Sequence, residues 1–505
     1  MALRLARARR WAMLAILGLV VLALFGFGFI WLTPYWIDLV RPAPMPPAVD
    51  ERHFGDRVLY ISPHPDDESL GGGGLIQRLV AQGKQVFVVF MTVGDGYRRA
   101  AEEAFHVFPA RPADLRRLGA LRHGEALAAL GRLGVPAENV VFFGFPDGGL
   151  SPMWEAHWSD DDPVRGPNGA TRVPYPFAYQ SDRPYSGSAV VAELEAVLKQ
   201  FQPTDVIYPD PFDQHPDHLA TSAFVVYTLA KLQQDVREWT YLVHRGDYPV
   251  PWTYEPKWFL LPPGPLVAVG VHWLAFPLRG EEEAGKYAAI SQHVSQVRTI
   301  GPFLRAFVRR NDLFGRIDTP VLRSVAGFDP MGAARSGAAA GAPREHTWSF
   351  IGSGGSGNRA EPAPLAPYTV VLDAVGDTLQ REWEGSADLR AVASVRSGGR
   401  WYIGIQTRRR IDSAVSYELH LRLFQKVGVR RVDLAVRGGV PTVLPGSAPS
   451  DAIPPGVMIR GDVLWLSFPD AWLADTGSWM VEVQTRVAGH QVDSSPWRII
   501  RLSPK

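Results

Sequence analysis

The sequence predicts an α/β fold built on a mostly parallel sheet with helices on both faces. A transmembrane helix is expected before it and a C-terminal antiparallel β-sandwich after it. Between residues 54 and 317, short apolar runs such as VLYIS and QVFVVFMTV alternate with helical segments such as SAVVAELEAVLKQF, which is typical of parallel sheets. After residue 368, segments such as RWYIGIQTR and SYELHLRLF alternate apolar and polar residues, as strands of a sandwich do. Residues 12–33 form an uncharged apolar run.

The composition is that of a globular protein with two or three domains. Of the 505 residues, 46% are hydrophobic and 20% are charged, so the chain can bury more than one core. Its formal net charge of +1 argues against a general binder of polyanions, and we expect no nucleic-acid partner. The absence of cysteine excludes disulfides, thiolate nucleophiles and cysteine-type zinc sites.

The N-terminal sequence predicts a membrane anchor. Residues 1–11 are a basic segment, and residues 12–33 are long enough as a helix to cross about 30 Å of hydrocarbon. Because the basic residues precede the apolar run, the N-terminus is expected in the cytoplasm and the rest of the chain on the periplasmic or extracellular side. A cleaved signal peptide is the alternative. Residues 34–53 form a Pro-rich spacer.

Two loops within residues 54–330 predict a divalent metal site. YISPHPDDESLGGGG and DQHPDH each follow a predicted strand, and such loops meet at the ligand-binding edge of a parallel sheet. Carboxylates packed this closely repel one another, which favours a cation between them. His64, Asp67 and His218 offer two nitrogens and an oxygen, a set typical of catalytic zinc with a position left for water, although another divalent metal would also fit. Asp66 can take a proton from that water.

These motifs resemble the LmbE-like, or PIG-L, de-N-acetylase family over about residues 55–317. The resemblance rests on SPHPDDE before a glycine run, HPDH on the later loop, and the weaker LRHGEALAALGRLG, FGFPDGGL, KYAAISQHVSQ and NDLF. It implies a Rossmann-like fold and zinc-dependent hydrolysis of the acetamide of N-acetylglucosamine units in small or lipid-linked glycoconjugates. It also implies that His64, Asp67 and His218 bind zinc, that Asp66 is the general base, and that a protonated His215 supports the oxyanion.

Four further polar positions are candidate substrate contacts, each with an ordinary structural alternative. Arg122 is spaced for a surface ion pair with Glu125, or faces the substrate pocket. Asp147, in FPDGG, and Asp95, in VGDG, are either turn residues or acceptors for sugar hydroxyls. His244 follows another predicted strand and either reaches the site or makes ordinary hydrogen bonds.

Two features beside the first motif have structural interpretations. Glu68 is expected either to brace a ligand or the first helical turn, or to act directly. Gly71 to Gly74 resemble a phosphate cradle, but no Walker lysine follows, so a tight backbone beside the metal loop is favoured.

The C-terminal part predicts an accessory domain. Residues 331–365 are rich in Gly, Ala, Ser and Pro and form a linker, and residues 366–505 form the sandwich. Because all proposed metal ligands lie upstream, removal of the sandwich is expected to leave hydrolysis of a short substrate largely intact. Its tryptophans are expected mostly in the core, with a sugar-stacking platform as the alternative. They are Trp383, Trp401, Trp465, Trp472, Trp479 and Trp497.

The predicted function is removal of N-acetyl groups from N-acetylglucosamine-type sugars in a glycoconjugate or cell-surface glycan. Zinc is the expected cofactor, an N-acetylated sugar or glycan the expected substrate, and the membrane a partner through the N-terminal helix. An O-acetyl esterase and a non-catalytic glycan-binding surface protein are the alternatives, and the intact Asp66–Asp67 pair argues against the second.

Overall fold

The structure is a computed structural model. It describes residues 42–322, 325, 327–330, 369–373, 385–424, 429–444, 455–473, 476 and 478–502. Among these residues, no helix is both long and apolar enough to cross a bilayer. The predicted anchor at residues 12–33 and Trp383 lie outside the described residues, as do residues 331–368.

The N-terminal part is an α/β domain with one seven-stranded sheet, as predicted. The strand order is β3-β2-β1-β4-β5-β7-β6. The first five of these strands are parallel, whereas β7 runs antiparallel to both β5 and β6. The strands are β1 Arg57–Ser62, β2 Gln85–Thr92, β3 Val140–Phe145, β4 Asp205–Pro209, β5 Arg237–Tyr241, β6 Val271–Pro277 and β7 Asn311–Ile317.

Helices form two groups around this sheet. One group brings α1, α3 and α7 into contact, and the other brings α4, α5 and α6 into contact. The chain moves outward through the sheet in one direction from β1 and in the opposite direction from β4. Because crossovers between parallel strands are right-handed, these opposite directions place the connecting helices on opposite faces of the sheet. The helices are α1 Asp67–Ala81, α2 Arg98–Phe105, α3 Pro112–Arg132, α4 Leu150–Glu155, α5 Gly187–Phe201, α6 Pro216–Leu232, α7 Gly280–Ile290 and α8 Val294–Arg305.

The strand order reverses between β1 and β4, which lie side by side in the sheet. The chain passes from β1 to β2 and β3 on one side, and later from β4 to β5 on the other. A crevice therefore opens beyond the carboxyl ends of β1 and β4, where ligands bind in doubly wound sheets. Both predicted metal loops emerge at this crevice.

The glycine run lies inside α1 rather than in a loop, and it allows close packing. A Cβ on Gly71 would lie 2.4 Å from a ring carbon of Tyr241, and a Cβ on Gly72 would lie 2.5 Å from a ring carbon of Tyr60. The helix can therefore rest directly on the rings of β1 and β5 only because these positions carry no side chain. This explains the run without a phosphate.

The C-terminal part forms two facing sheets. One sheet has the order β15-β16-β11-β10-β9, and the other has the order β14-β13-β12-β17-β19-β8, with β18 paired to β17. Neighbouring strands are antiparallel except β8 and β19, which are parallel. The strands are β8 Val321–Leu322, β9 Thr369–Leu372, β10 Leu389–Ser397, β11 Arg400–Thr407, β12 Val415–Phe424, β13 Val429–Arg437, β14 Val440–Val443, β15 Gly456–Arg460, β16 Val463–Pro469, β17 Ser478–Val487, β18 His490–Ser494 and β19 Arg498–Leu502.

Tryptophan fills the interior of this sandwich, as expected from the sequence. Side chains from both sheets share one apolar core. All the predicted tryptophans that the structure describes are buried, with Trp497 the most accessible at 8% exposure. Buried rings cannot offer a face to a sugar, so the described tryptophans do not form a stacking platform.

The two parts of the chain share apolar contacts across their boundary. Trp497 packs edge-on against Trp154 of α4, with ring centroids 5.4 Å apart, and Tyr227 of α6 lies 5.0 Å from Phe424. Trp497 also belongs to the core cluster of the α/β domain. At the other end, the backbone of Val49 bonds to β6, so the end of the proline-rich spacer packs on the α/β domain.

Candidate metal centre

The predicted ligands lie at or just before the N-terminal ends of two helices at the crevice. His64 and Asp66 lie in the turn between β1 and α1, and Asp67 is the first residue of α1. His215 caps the N-terminus of α6, where its Nδ1 accepts a hydrogen bond from the backbone N–H of Asp217. Asp67 and His218, from the two loops, are fully buried. The fold thus brings together side chains that are far apart in the sequence.

Four side chains place donor atoms around one point. Nδ1 of His64 lies 3.3 Å from Oδ2 of Asp67, and Nε2 of His218 lies 3.1 Å from the same oxygen. Nε2 of His244 lies 3.7 Å from Oδ1 of Asp67. The donor atoms of all four residues lie within 4.8 Å of one another. Donors bonded at about 2.1 Å to one tetrahedral ion are about 3.4 Å apart, so the spacing fits a metal.

Unsatisfied polar atoms support the same conclusion. Oδ1 of Asp67 and both ring nitrogens of His218 are buried without a hydrogen-bond partner among the described residues. The ring nitrogens of His218 lie 3.1 and 3.2 Å from Asp67 and Asp213, but these approaches lack hydrogen-bond geometry. Buried polar atoms without partners are costly, and a bound cation would satisfy them.

The electrostatics of the centre also favour a bound cation. Burial would lower the pKa of His218, but the carboxylates of Asp213 and Asp67 raise it to about 9. Burial would raise the pKa of Asp67, but the charges of His218 and His64 hold it well below its usual range. Without a metal, protons on the histidines balance the carboxylates. A divalent ion can replace those protons, so metal binding should release them.

A second set of carboxylates orients the ligands from behind. Asp213 lies 3.2 Å from Nδ1 of His218, and its Oδ2 also accepts the backbone N–H groups of Val243 and His244. Nε2 of His64 lies 3.2 Å from Asp217 and 3.3 Å from Asp147. The imidazoles of His64 and His218 therefore each have one nitrogen at the centre and the other against a carboxylate, the arrangement that fixes histidine ligands on metals.

Asp66 is held in a strained backbone conformation beside the ligands. Its φ is 137°, a left-handed value that costs a non-glycine residue about 1–3 kcal/mol. Although Asp66 precedes α1, its side chain makes no cap hydrogen bond with that helix. Burial raises the pKa of Asp66 to about 7, even though the charge of Arg122 lowers it. A carboxyl group poised near neutrality suits general acid–base catalysis.

Arg122 is buried, so the alternative of a surface ion pair with Glu125 is wrong. Its guanidinium donates to the carbonyl oxygens of Gly94 and Pro65 and lies 3.4 Å from Oδ2 of Asp66. Glu125 instead accepts hydrogen bonds from the backbone and hydroxyl of Ser295. Helical spacing could not show this, because the face of α3 that carries Arg122 is covered by the loop after β1.

Glu68 braces the same turn. One oxygen accepts the backbone N–H of Asp66 at 3.0 Å, and the other accepts the hydroxyl of Ser69 and lies 3.4 Å from Nε2 of His293. Burial would lower the pKa of His293, but Glu68 raises it. Glu68 therefore supports the turn, as one of its two sequence interpretations proposed.

His215 lies at the edge of the centre, with its ring centroid 4.7 Å from that of His64. Burial lowers the pKa of His215 to about 4, and the charges of His64 and His218 act in the same direction. The free protein therefore favours the neutral ring rather than the expected protonated one. Because Nδ1 accepts the N–H of Asp217, the neutral ring carries its proton on Nε2 and can still donate one hydrogen bond.

The remaining candidates occupy different places. His244 lies within the donor group, and burial lowers its pKa to about 3 with help from the charge of His218. Asp147 contacts His64 at the crevice and is 14% exposed. Asp95 is fully buried, where it accepts the backbone N–H of Asp147 and the side chains of Asn168 and Tyr175. Asp95 thus positions the backbone of Asp147 from the buried side.

Three residues of the centre were not identified from the sequence. Asp213 and Asp217 lie inside DQHPDH, so the number of carboxylates in that loop was the signal that could have found them. His293 comes from the turn before α8 and meets Glu68 only through tertiary packing. His293 lies within the KYAAISQHVSQ motif, so that motif was the signal that could have singled it out.

Comparison with known proteins matches part of the chain to a family model. Residues 59–229 match the family model described as PIG-L: GlcNAc-PI de-N-acetylase. Both metal loops lie within this range. The motifs predicted a resemblance to this family, and the match over residues 59–229 confirms it for this part of the chain.

Curated relatives have deacetylase activity. An enzyme of Rhodococcus opacus named 1D-myo-inositol 2-acetamido-2-deoxy-alpha-D-glucopyranoside deacetylase is 29% identical over 284 residues, which are 51% of this chain and 87% of the relative. An enzyme of the same name from Mycobacterium sp. strain KMS is 31% identical over 202 residues, 38% of this chain and 56% of the relative. The chain thus spans little more than half of the mycobacterial relative.

Solved structures with low sequence identity match about half of the chain. N,N'-diacetylchitobiose deacetylase from Pyrococcus horikoshii is 21% identical, with 51% of this chain and 82% of that chain covered and a TM-score of 0.32. The A40926 pseudoaglycone deacetylase Dbv21 is 19% identical, with 52% and 96% covered and a TM-score of 0.33.

Proposed function

We propose that this chain is a zinc-dependent hydrolase that removes N-acetyl groups from N-acetylglucosamine-type sugars in a glycoconjugate or cell-surface glycan. The observation that carries the proposal is the buried acid Asp66 beside the donor set of His64, Asp67 and His218. A mixed set of imidazole nitrogens and a carboxylate oxygen favours zinc among the divalent ions. His244 is the candidate fourth donor, or a contact for substrate.

The residues of the centre supply the parts that amide hydrolysis requires. When bound, the divalent ion supplies a Lewis acid that lowers the pKa of a water molecule and polarises the acetamide carbonyl. Asp66 takes the proton of the attacking water and returns it to the amine nitrogen as the carbon–nitrogen bond breaks, so that acetate and a primary amine leave. The Nε2–H of His215 donates a hydrogen bond to the oxyanion of the tetrahedral intermediate and keeps its proton.

Arg122 and Glu68 act as positioning residues in this mechanism. The guanidinium of Arg122 bonds to the carbonyl of Pro65 and lies beside Asp66, and Glu68 holds the backbone N–H of Asp66. Together they maintain the strained turn that directs the base away from its own helix. A general base helps only when it is within reach of the proton that it removes.

The experiment must separate an amidase from an esterase. The full-length protein, purified in detergent and loaded with zinc, is incubated with N-acetylated and O-acetylated glycans, and both free acetate and new primary amine are measured. Equal amounts of acetate and amine are expected, with loss of both on chelation and recovery with added zinc. Asp66→Asn serves as the inactive control. Acetate without amine would identify an O-acetyl esterase, and glycan binding without either product would favour a non-catalytic glycan-binding protein.

We further propose that residues 12–33 anchor the protein in the membrane, with residues 1–11 in the cytoplasm and the catalytic domain on the periplasmic or extracellular side. The support is the uncharged apolar run and its basic N-terminal flank. Protease added to intact cells, or to spheroplasts where an outer membrane intervenes, should digest the chain after Arg41. Full protection, while known exported controls are cut, would overturn this topology.

A further inference from the structure

The long connection between β5 and β6 presents aromatic side chains to solvent. Trp252, Tyr254, Trp258 and Phe259 are 44%, 48%, 46% and 42% exposed, and Met45, near the start of the described chain, is 47% exposed. We call the four aromatic residues the aromatic patch. Soluble proteins rarely expose several large apolar side chains on one connection, so such a group marks an interaction surface.

Exposed tryptophan and tyrosine side chains are concentrated at the patch, whereas the exposed Phe108, at 88%, lies between α2 and α3. Among the residues that the structure describes, the exposed tryptophans are Trp252 and Trp258, and the exposed tyrosines are Tyr254 and Tyr287. Tyr287 contacts Tyr254, with ring centroids 5.4 Å apart. The two types of side chain that are enriched where proteins meet the bilayer surface are therefore collected on one part of this molecule.

The backbone that carries the patch is firmly held. The guanidinium of Arg309, which is buried, donates hydrogen bonds to the carbonyl oxygens of Pro251, Thr253 and Glu255 at 2.8, 3.2 and 2.8 Å. Directly after the patch, the backbone N–H of Leu260 bonds to a buried asparagine. Hydrogen bonds therefore fix the backbone of this loop, so the fold itself holds the aromatic side chains in exposed positions.

The chain enters the described structure at the same place. Pro42 and Ala43 line a cavity of about 330 Å³ together with Trp258 and Phe259. Eight residues separate the apolar run 12–33 from Pro42, and so short a segment spans at most about 30 Å when fully extended. If the run crosses the bilayer, this tether keeps the patch close to the lipid surface.

Basic side chains accompany the patch. The guanidinium of Arg310 lies 5.7 Å from the ring centre of Phe259, and Lys257 is exposed between Tyr254 and Trp258 in the loop. Tryptophan, tyrosine and basic side chains place apolar parts toward lipid and polar ends toward headgroups, so this combination fits a bilayer–water interface.

We propose that the aromatic patch docks on the surface of a phospholipid bilayer and orients the catalytic domain there. The proposal rests on the proposed anchor. It has a consequence for the metal centre, because Trp252 contacts Phe303 at 5.7 Å, and Phe303 stacks on His244 with ring centroids 5.8 Å apart. The docked surface therefore adjoins the candidate active site, whose substrate would be met at the membrane.

The absence of cysteine in the chain allows a direct test. Single cysteines introduced as Trp258→Cys and Phe259→Cys in the full-length protein are spin-labelled, and the protein is reconstituted into vesicles of phosphatidylcholine and phosphatidylglycerol. Val440→Cys, at a 61% exposed position of the sandwich, is the matched control. For each label, accessibility to oxygen, which partitions into lipid, is compared with accessibility to a water-soluble nickel chelate.

The ratio of oxygen to nickel accessibility should be several-fold higher at positions 258 and 259 than at position 440. Equal ratios at all three positions would overturn docking through the patch. Labels that neither reagent reaches would show that protein, such as residues 34–41, covers the patch instead, and this would also overturn the proposal.

Two parallel measurements separate failure of docking from failure of the other proposals. Flotation of the full-length chain with vesicles tests the anchor, and release of acetate and amine from a soluble substrate tests the catalytic function. A chain that floats and hydrolyses substrate while its labels at 258 and 259 remain in water refutes only the docking. A chain that does not float refutes the anchor and the docking together.

Discussion

Replacement of each of the two neighbouring aspartates by asparagine should impair a different property of the enzyme. Asp66→Asn keeps the size of the side chain and a residue type that tolerates positive φ, while it removes the group that accepts a proton. Asp67→Asn removes the carboxylate whose Oδ2 lies 3.1–3.3 Å from nitrogens of two histidines. The first change concerns proton transfer and the second concerns metal binding.

The structure allows the size of each effect to be worked out. Asp66 is not needed to complete the donor set, so Asp66→Asn should keep its zinc while kcat falls by about 10²- to 10⁴-fold, the usual contribution of a general base. That loss corresponds to a barrier about 3–5 kcal/mol higher. Residues that merely orient ligands contribute about 10- to 100-fold to metal affinity, so loss of the ligand Asp67 should weaken zinc binding by at least about 100-fold.

The assay measures zinc per chain by elemental analysis, together with acetate release, for each purified variant at matched free zinc. Asp161→Asn, at an exposed position, is the control for an uncharged replacement and should match the unmodified protein. If Asp66→Asn loses zinc while Asp67→Asn retains it, the two roles have been assigned in reverse. If Asp66→Asn keeps near-normal turnover, the proposed mechanism is refuted.

Three further predictions concern stability. Gly71→Ala should destabilise the protein by about 1–3 kcal/mol, because its Cβ would lie 2.4 Å from the Tyr241 ring. The control Gly124→Ala, whose Cβ would have nothing within 4 Å, should be neutral or stabilising by up to about 1 kcal/mol. Urea denaturation measures the unfolding free energy of both variants, and equal effects would contradict the packing explanation. Burial raises the pKa of the Glu193 carboxyl from its usual value of 4.5 to about 8 in the folded protein. The contribution of the protonated carboxyl to folding stability is therefore full below the unfolded-state pKa near 4.5 and is lost as the pH rises through 8. Glu193→Gln should remove this part of the pH dependence, and identical slopes of thermal stability between pH 5 and 9 would refute it. Removal of residues 366–505 should lower the unfolding temperature of the remaining domain, because the sandwich contributes to the core of the α/β domain; an unchanged temperature would show that the two parts are independent after all.

The sequence by itself determined the order of strands and helices and the two metal loops. Alternation of apolar runs with helical periodicity reports burial, which is a local property of each segment, and the parallel sheet follows from it. His64, Asp67 and His218 could be chosen because histidines and carboxylates after strands must meet at one edge of such a sheet.

Only the tertiary structure decided how the centre is supported. Arg122 was ambiguous in the sequence because helical spacing says which residues share a face but not what covers that face. Its partners prove to be backbone carbonyls of the Gly94 and Pro65 loops, and the partner of Glu68 is His293 from a distant turn. Contacts between segments far apart in the chain depend on packing, which no local pattern encodes.

The same limit applies to charge and to the boundary between domains. The neutral form favoured by His215 depends on burial and on charged neighbours, which exist only in the folded crevice. The linker composition predicted separable modules, yet Trp497 packs against Trp154 across the boundary. Composition identifies a linker segment that does not itself need to pack. Whether the two domains pack against each other depends on the complementarity of their surfaces, which arises only once both have folded.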